Sequence, residues 1–114
     1  MSPSEERDKA TLGDLITICR DVMSCTTGRF KPQMQADRQL FHAVSFELAI
    51  LGEGVKGLSD EFRARHPEIP WRKIAGMRDR IIHGYHEIDL DELWNAAVHD
   101  VPVLLEQLQR IQGA

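Results

Sequence analysis

Three residues in the second half of the chain carry side chains that can do chemistry together. They are Arg78, His83 and Tyr85, spaced R-x4-H-x-Y. A guanidinium is a rigid fork of donors that fits a phosphate. An imidazole is the side chain that moves a proton near neutral pH. Arginine plus histidine, with no catalytic cysteine, serine triad or acid pair, is what metal-independent phosphodiester chemistry needs. Arg78 is also out of place by pattern. In "WRKIAGMRDRIIHGYH", projected at about 100° per residue, Trp71, Ile74, Ala75, Met77, Ile81 and Ile82 share one arc. Arg72, Lys73, Asp79 and Arg80 lie opposite, and Arg78 lands within the apolar arc.

A second charge is misplaced in the same way. Glu47 projects between two apolar surfaces of its helix, flanked by Leu40, Ala43, Ile50 and Leu51. An unpaired buried charge costs several kcal/mol, as much as a small domain can spare. Glu47 and Arg78 are therefore expected to face each other or a shared polar cavity. A plain ion pair that sets helix register explains this as well as a functional site does, and the arginine stem can also reach out of a core. The histidine and tyrosine tip the balance. Five residues along a regular helix is about 140° of rotation, so Arg78 and His83 do not share a face. They converge only where the helix ends at Gly84, or where a second copy supplies one of them.

A metal site at "HGYHE" is the weaker alternative. His83, His86, Glu87 and Asp89 offer ligand atoms, but the spacing is not H-E-x-x-H and no cysteine joins them. No metal or other cofactor is expected. His42, His66 and His99 stand in no motif and read as ordinary surface or core histidines, and Trp71 and Trp94 read as core.

The elements that must hold these residues are helical. Leu12, Leu15, Ile16, Cys19, Val22 and Met23 form a stripe on a helix over 4–25. A second helix over 35–58 carries a stripe from Leu40 to Leu58 and a further apolar side at Ala43, Phe46, Ala49 and Ile50. A helix apolar on two sides is buried on two sides, and in a chain this short the second partner is a second copy. Gly52, Gly54 and Gly57 are poor helix formers and mark a place where another backbone comes close. One helical turn is expected after Ser59. A third helix opens with Pro70 in its first turn and closes at Gly84 in a left-handed cap. A fourth opens at Asp89 with Glu92 as a capping box, and Pro102 kinks or breaks it. The expected fold is all-α, one domain over 1–114, an up-and-down bundle of four to five helices forming a two-fold homodimer.

Composition narrows the classes. With 42% hydrophobic residues among 114, the chain can bury a core without disulfides. Cys19 and Cys25 are too isolated for a zinc framework, and Cys19 on an apolar stripe suits a reducing compartment. The first ten residues contain no apolar leader segment, and no apolar run is long enough for a bilayer, so a cytoplasmic location is expected. Net charge of −4 argues against nonspecific nucleic-acid binding, yet residues 56–83 hold seven Lys/Arg against four Asp/Glu.

The stretches "ILGEGVKGLSDEFRARHPEIPWRKIAGMRDRIIHGY" and "DLDELWNAAVHDVPVLLEQL" resemble the HepT-like toxins of the HEPN superfamily, which carry the R-x4-H-x-Y signature. The resemblance covers about residues 7 to 110. It implies a helical bundle that dimerises with two motifs in one cleft. It also implies the toxin of a type VII MNT–HEPN toxin–antitoxin system, a metal-independent endoribonuclease. By this analogy Arg78 holds the scissile phosphate of RNA and His83 is the general base or acid. Tyr85 is the site of AMPylation by the cognate MNT-type nucleotidyltransferase antitoxin. The chain departs from the pattern in two supporting positions. Asp79 follows the arginine where relatives usually carry asparagine, and Phe46-Glu47 stands where relatives often carry Arg-Asn. These acids leave open the alternative of a non-catalytic HEPN module that binds a nucleotide or partners a minimal nucleotidyltransferase.

Overall fold

The computed structural model describes residues 1–114. Every regular element is helical. Helix α1 spans Pro3–Thr26 and starts where Ser2 and Glu5 form a reciprocal capping box. Its stripe, Leu12, Leu15, Ile16, Cys19 and Val22, is buried. The chain then turns at Gly28, which has the one positive φ, 74°.

A short helix absent from the sequence reading follows. α2 spans Lys31–Ala36, with Pro32 in its first turn and Met34 fully buried. Asp37 ends α2 and caps α3, Arg38–Lys56, accepting from the backbone N–H groups of Gln39 and Leu40. That carboxylate is why α3 starts at 38 rather than 35. α4, Asp60–Arg65, is the expected turn after Ser59, and Ser59 caps it by accepting from the Phe62 N–H. α5 spans Trp71–His83, with Pro70 at its N-cap rather than in its first turn. Gly84 does not take the left-handed cap: its φ is −132°, and the chain runs on into a 3₁₀ turn over Tyr85–Glu87.

Asp89 caps α6, Leu90–Asn95, as expected. The Glu92 carboxylate goes to Arg80 on α5, 2.5 Å away. Pro102 disturbs the last helix as its chemistry requires. It has no N–H, and its ring crowds the carbonyl four residues back. The rod widens into a π turn over Ala96–Asp100 and then resumes as α7, Val101–Gly113. The seven helices thus exceed the expected four to five, because short α2 and α4 are separate and one rod is interrupted.

Contacts between helices fix their directions. Asp8 near the start of α1 bonds Ser59 just beyond the end of α3. Arg78 of α5 meets Glu53 late in α3, while Tyr85 meets His42 early in it. Arg80 pairs with Glu92, and Lys73 with Asp100. Gly13 lies against Gln112 of α7. Each long helix therefore runs against its neighbour, up and down. No helix is long and apolar enough to cross a membrane.

Candidate active site

Arg78 is placed by a glycine. A Cβ at Gly52 would lie 2.3 Å from the Arg78 Cβ and 2.9 Å from the Ile74 carbonyl oxygen. Only a residue without a side chain lets α5 cross α3 there, and the crossing sets the Arg78 Cα on α3. The expected close backbone approach is met within the chain at Gly52. At Gly54 the neighbour is the Leu15 side chain, and at Gly57 the nearest atoms are carbonyls of α3 itself.

The guanidinium does not face Glu47. Arg78 Nε forms an ion pair with Glu53 Oε2 at 3.0 Å, and Nη1 donates to Asp79 Oδ1 at 3.1 Å. Lys56 Nζ donates to the same Asp79 oxygen at 2.5 Å. Two cations and two carboxylates thus form a neutral knot. The hydrogen bonds from Lys56 and then Arg78 hold the Asp79 carboxyl below its ordinary range. Glu47 lies elsewhere because six residues turn a helix by about 240° from Glu53. It is half-buried on the α1 side. Burial first, and the Asp21 carboxylate second, push its carboxyl above the usual range. The expected Glu47–Arg78 pairing is therefore corrected to Glu53–Arg78.

His83 is the last residue of α5 and is exposed. It lines an open cleft of about 410 Å³ with Asp79, Arg80, Gly84, Glu87 and Glu92. Arg78 and Tyr85 do not line it. Three carboxylates against Arg80 make this cleft, by itself, a poor seat for a phosphate. Asp79 has no bond to His83; it is committed to Lys56 and Arg78.

Tyr85 leans the other way, onto α3. Its hydroxyl lies 2.5 Å from His42 Nδ1. The His42 and Tyr85 rings are 5.5 Å apart, and Phe41 stands 6.0 Å from the Tyr85 ring. His42 is the residue that the sequence reading missed. It is 43 positions from Tyr85 and in no motif, so no signal along the chain marks it. The anchors of Arg78 and Tyr85 on α3, Glu53 and His42, are eleven residues apart, roughly 16 Å along the axis. One chain therefore presents Arg78, His83 and Tyr85 separately rather than as one cluster.

Between those anchors the surface is apolar and open. Phe46 is 64% exposed one turn after His42, and Ile82 is 53% exposed one turn after Arg78. Ala43 is exposed and Ile50 half-buried, whereas Ala49 is buried within the chain. The metal reading gains no geometric support. Nowhere do three His, Cys, Asp or Glu side chains gather closely enough to hold one ion.

The comparisons with known proteins agree on one family. The model of the family described as Ribonuclease HepT-like matches residues 15–111. The chain belongs to that family. It is 38% identical over 76 residues to a protein of Thermococcus cleftensis described as a probable ribonuclease HepT, covering 67% of this chain and 69% of that one. It is 40% identical over 75 residues to a candidate RNase of Caldanaerobacter subterraneus, covering 66% and 67%. Over a longer span, a candidate RNase of Methanocaldococcus jannaschii is 29% identical across 103 residues, 90% of this chain and 89% of that one. No solved structure matches the chain.

Proposed function

We propose that this HepT-like chain is a metal-independent endoribonuclease, the toxin of an MNT–HEPN toxin–antitoxin pair acting in the cytoplasm as a two-fold homodimer. Arg78 binds the scissile phosphate, and His83 moves the proton of the ribose 2′-hydroxyl or the leaving oxygen. A cognate nucleotidyltransferase silences the enzyme by attaching AMP to Tyr85, whose added phosphate repels and blocks RNA.

One observation carries this reading: Phe46 and Ile82, between the contacts that Arg78 and Tyr85 make on α3, leave an exposed apolar strip that nothing in the chain covers. A second copy related by a two-fold axis would bury that strip and bring one copy's Arg78 toward the other's His83. The dimer thus solves burial and site assembly together. Asp79 takes part by holding Arg78 and Lys56, and Glu47 only shapes the α1 side.

The neutral knot favours a second reading. With Glu53 and Asp79 already satisfying Arg78, the chain suits a non-catalytic module that binds a nucleotide or the transferase. Cleavage of labelled RNA in the presence of a chelator separates the two. Arg78→Ala and His83→Ala are each expected to lose at least about 100-fold in rate, the usual worth of a positioned acid–base or phosphate group. Their unfolding temperatures should stay near wild type. Full activity in the double mutant refutes the site, and an inactive wild-type dimer leaves the module.

A further inference from the structure

We propose that His42 is the general base for modification of Tyr85. This rests on the AMPylation reading above and names the residue that makes the phenol reactive. His42 Nδ1 accepts the phenolic proton as Tyr85 Oη attacks the α-phosphorus of a nucleoside triphosphate held by the transferase. The Oη–P bond forms and the bond from that phosphorus to the oxygen bridging toward the β-phosphorus breaks. Pyrophosphate leaves with the electron pair, and the proton stays on the imidazole.

The geometry carries the assignment. An attacking phenol needs a base within hydrogen-bond reach, and Oη lies 2.5 Å from Nδ1. The pair is oriented by packing rather than by chance. The Phe41 and His42 rings meet edge-on at 84° with centroids 6.1 Å apart, and Phe41 also backs Tyr85. His42 is exposed and Tyr85 half-buried, so the pair lies at the surface, within a partner's reach. An ordinary phenol ionises near pH 10, so only about one in a thousand is phenolate at pH 7. A base already in contact removes that handicap. The charged and titratable groups around the pair are few. Arg38, one turn back on α3, lies over the Phe41 ring at 5.9 Å, and the His86 ring is 6.3 Å from that of Tyr85.

His42 has no other bonded partner in the fold, and Tyr85 has no other hydroxyl contact. A merely structural tie would be served as well by glutamine, which accepts a hydrogen bond but does not take up a proton. That difference supplies the test. The full-length chain is incubated with its cognate nucleotidyltransferase and ATP, and AMP addition is followed by intact mass. Wild type, Tyr85→Phe, His42→Gln and His42→Ala are compared, with thermal unfolding as the control for fold. The expected result is normal modification of wild type, none of Tyr85→Phe, and a rate at least about 100-fold lower for both His42 variants. Added imidazole should restore part of the His42→Ala rate by filling the vacated space. Wild-type rates in both His42 variants overturn the role of His42 while leaving the AMPylation of Tyr85 intact. A slow His42→Ala beside a normal His42→Gln overturns it too, because a hydrogen bond alone then suffices. No mass gain in wild type overturns the modification reading and this inference with it.

Discussion

Replacing Gly52 by alanine sets two physical effects against each other. By helix propensity alone, glycine inside a helix costs about 1 kcal/mol relative to alanine, so the change should stabilise α3. The tertiary structure predicts the opposite. The new Cβ would stand 2.3 Å from the Arg78 Cβ, 2.9 Å from the Ile74 carbonyl oxygen and 3.3 Å from the Arg78 Cα. Carbon atoms in contact sit about 3.5–4.0 Å apart, so α5 must back away from α3 by roughly 1.2 Å or more. The obstructing atoms are backbone and a first side-chain carbon, which no rotamer change removes. Overpacking of this kind costs up to about 3 kcal/mol. After the propensity gain, the net loss is about 2 kcal/mol, or roughly 8 °C in unfolding temperature for a domain of this size. Gly54→Ala is the matched control. Its Cβ would meet only the far end of the Leu15 side chain, at 2.6 Å, which can turn away. Thermal and urea unfolding of both variants measure the difference. If Gly52→Ala is as stable as wild type, the close crossing of α3 and α5 is wrong, and so is the placement of Arg78 derived from it.

Other substitutions test separate parts of the structure. Glu53→Gln frees a guanidinium that its carboxylate now occupies at 3.0 Å. A partly exposed pair is worth about 0.2–1 kcal/mol, so kcat/KM for RNA should rise roughly 1.4- to 5-fold; a fall to the level of Arg78→Ala would mean that Glu53 aims the arginine instead. Glu47→Gln should stabilise the fold slightly at pH 7. Because burial raises the Glu47 carboxyl above its ordinary 4.5, its contribution is present below that pH and lost as pH rises through the folded value. The advantage of the variant should therefore vanish below about pH 4, and equal curves at all pH values would count against the buried charge. Asp8 is 4% exposed and accepts from both the N–H and the hydroxyl of Ser59, at 2.8 and 2.5 Å. Asp8→Ala should cost about 2 kcal/mol in urea unfolding, the worth of hydrogen bonds to a charged group, and an unchanged midpoint would remove the clamp.

Much of the architecture can be read from local rules. Periodicity locates the long helices because an amphipathic stripe depends only on neighbours three and four apart. Polar residues locate two helix starts: Ser59 and Asp89 both act where their chemistry puts them. Pro102 disturbs the last rod for a reason contained in its ring. The spacing of Arg78, His83 and Tyr85 likewise needs no coordinates. Which side chains meet across the bundle cannot be read from these local rules. α2 carries too little periodicity over six residues to stand out, and Gly28 and Pro32 around its start signal a turn. Glycine permits a left-handed cap at Gly84, yet the 3₁₀ turn that follows requires a different conformation.

The charges show the limit most clearly. Helical periodicity alone puts Arg78 on an apolar arc and calls for an acidic partner. Pattern points to Glu47, but Glu53 takes the role, because the partner depends on which side of α3 receives α5. Only the crossing at Gly52 decides it, giving Arg78 to Glu53 and leaving Glu47 beside Asp21. The bond between His42 and Tyr85 is of the same kind. Propensity and pattern act within a few residues along the chain, whereas this contact exists only because two antiparallel helices bring distant positions to one height.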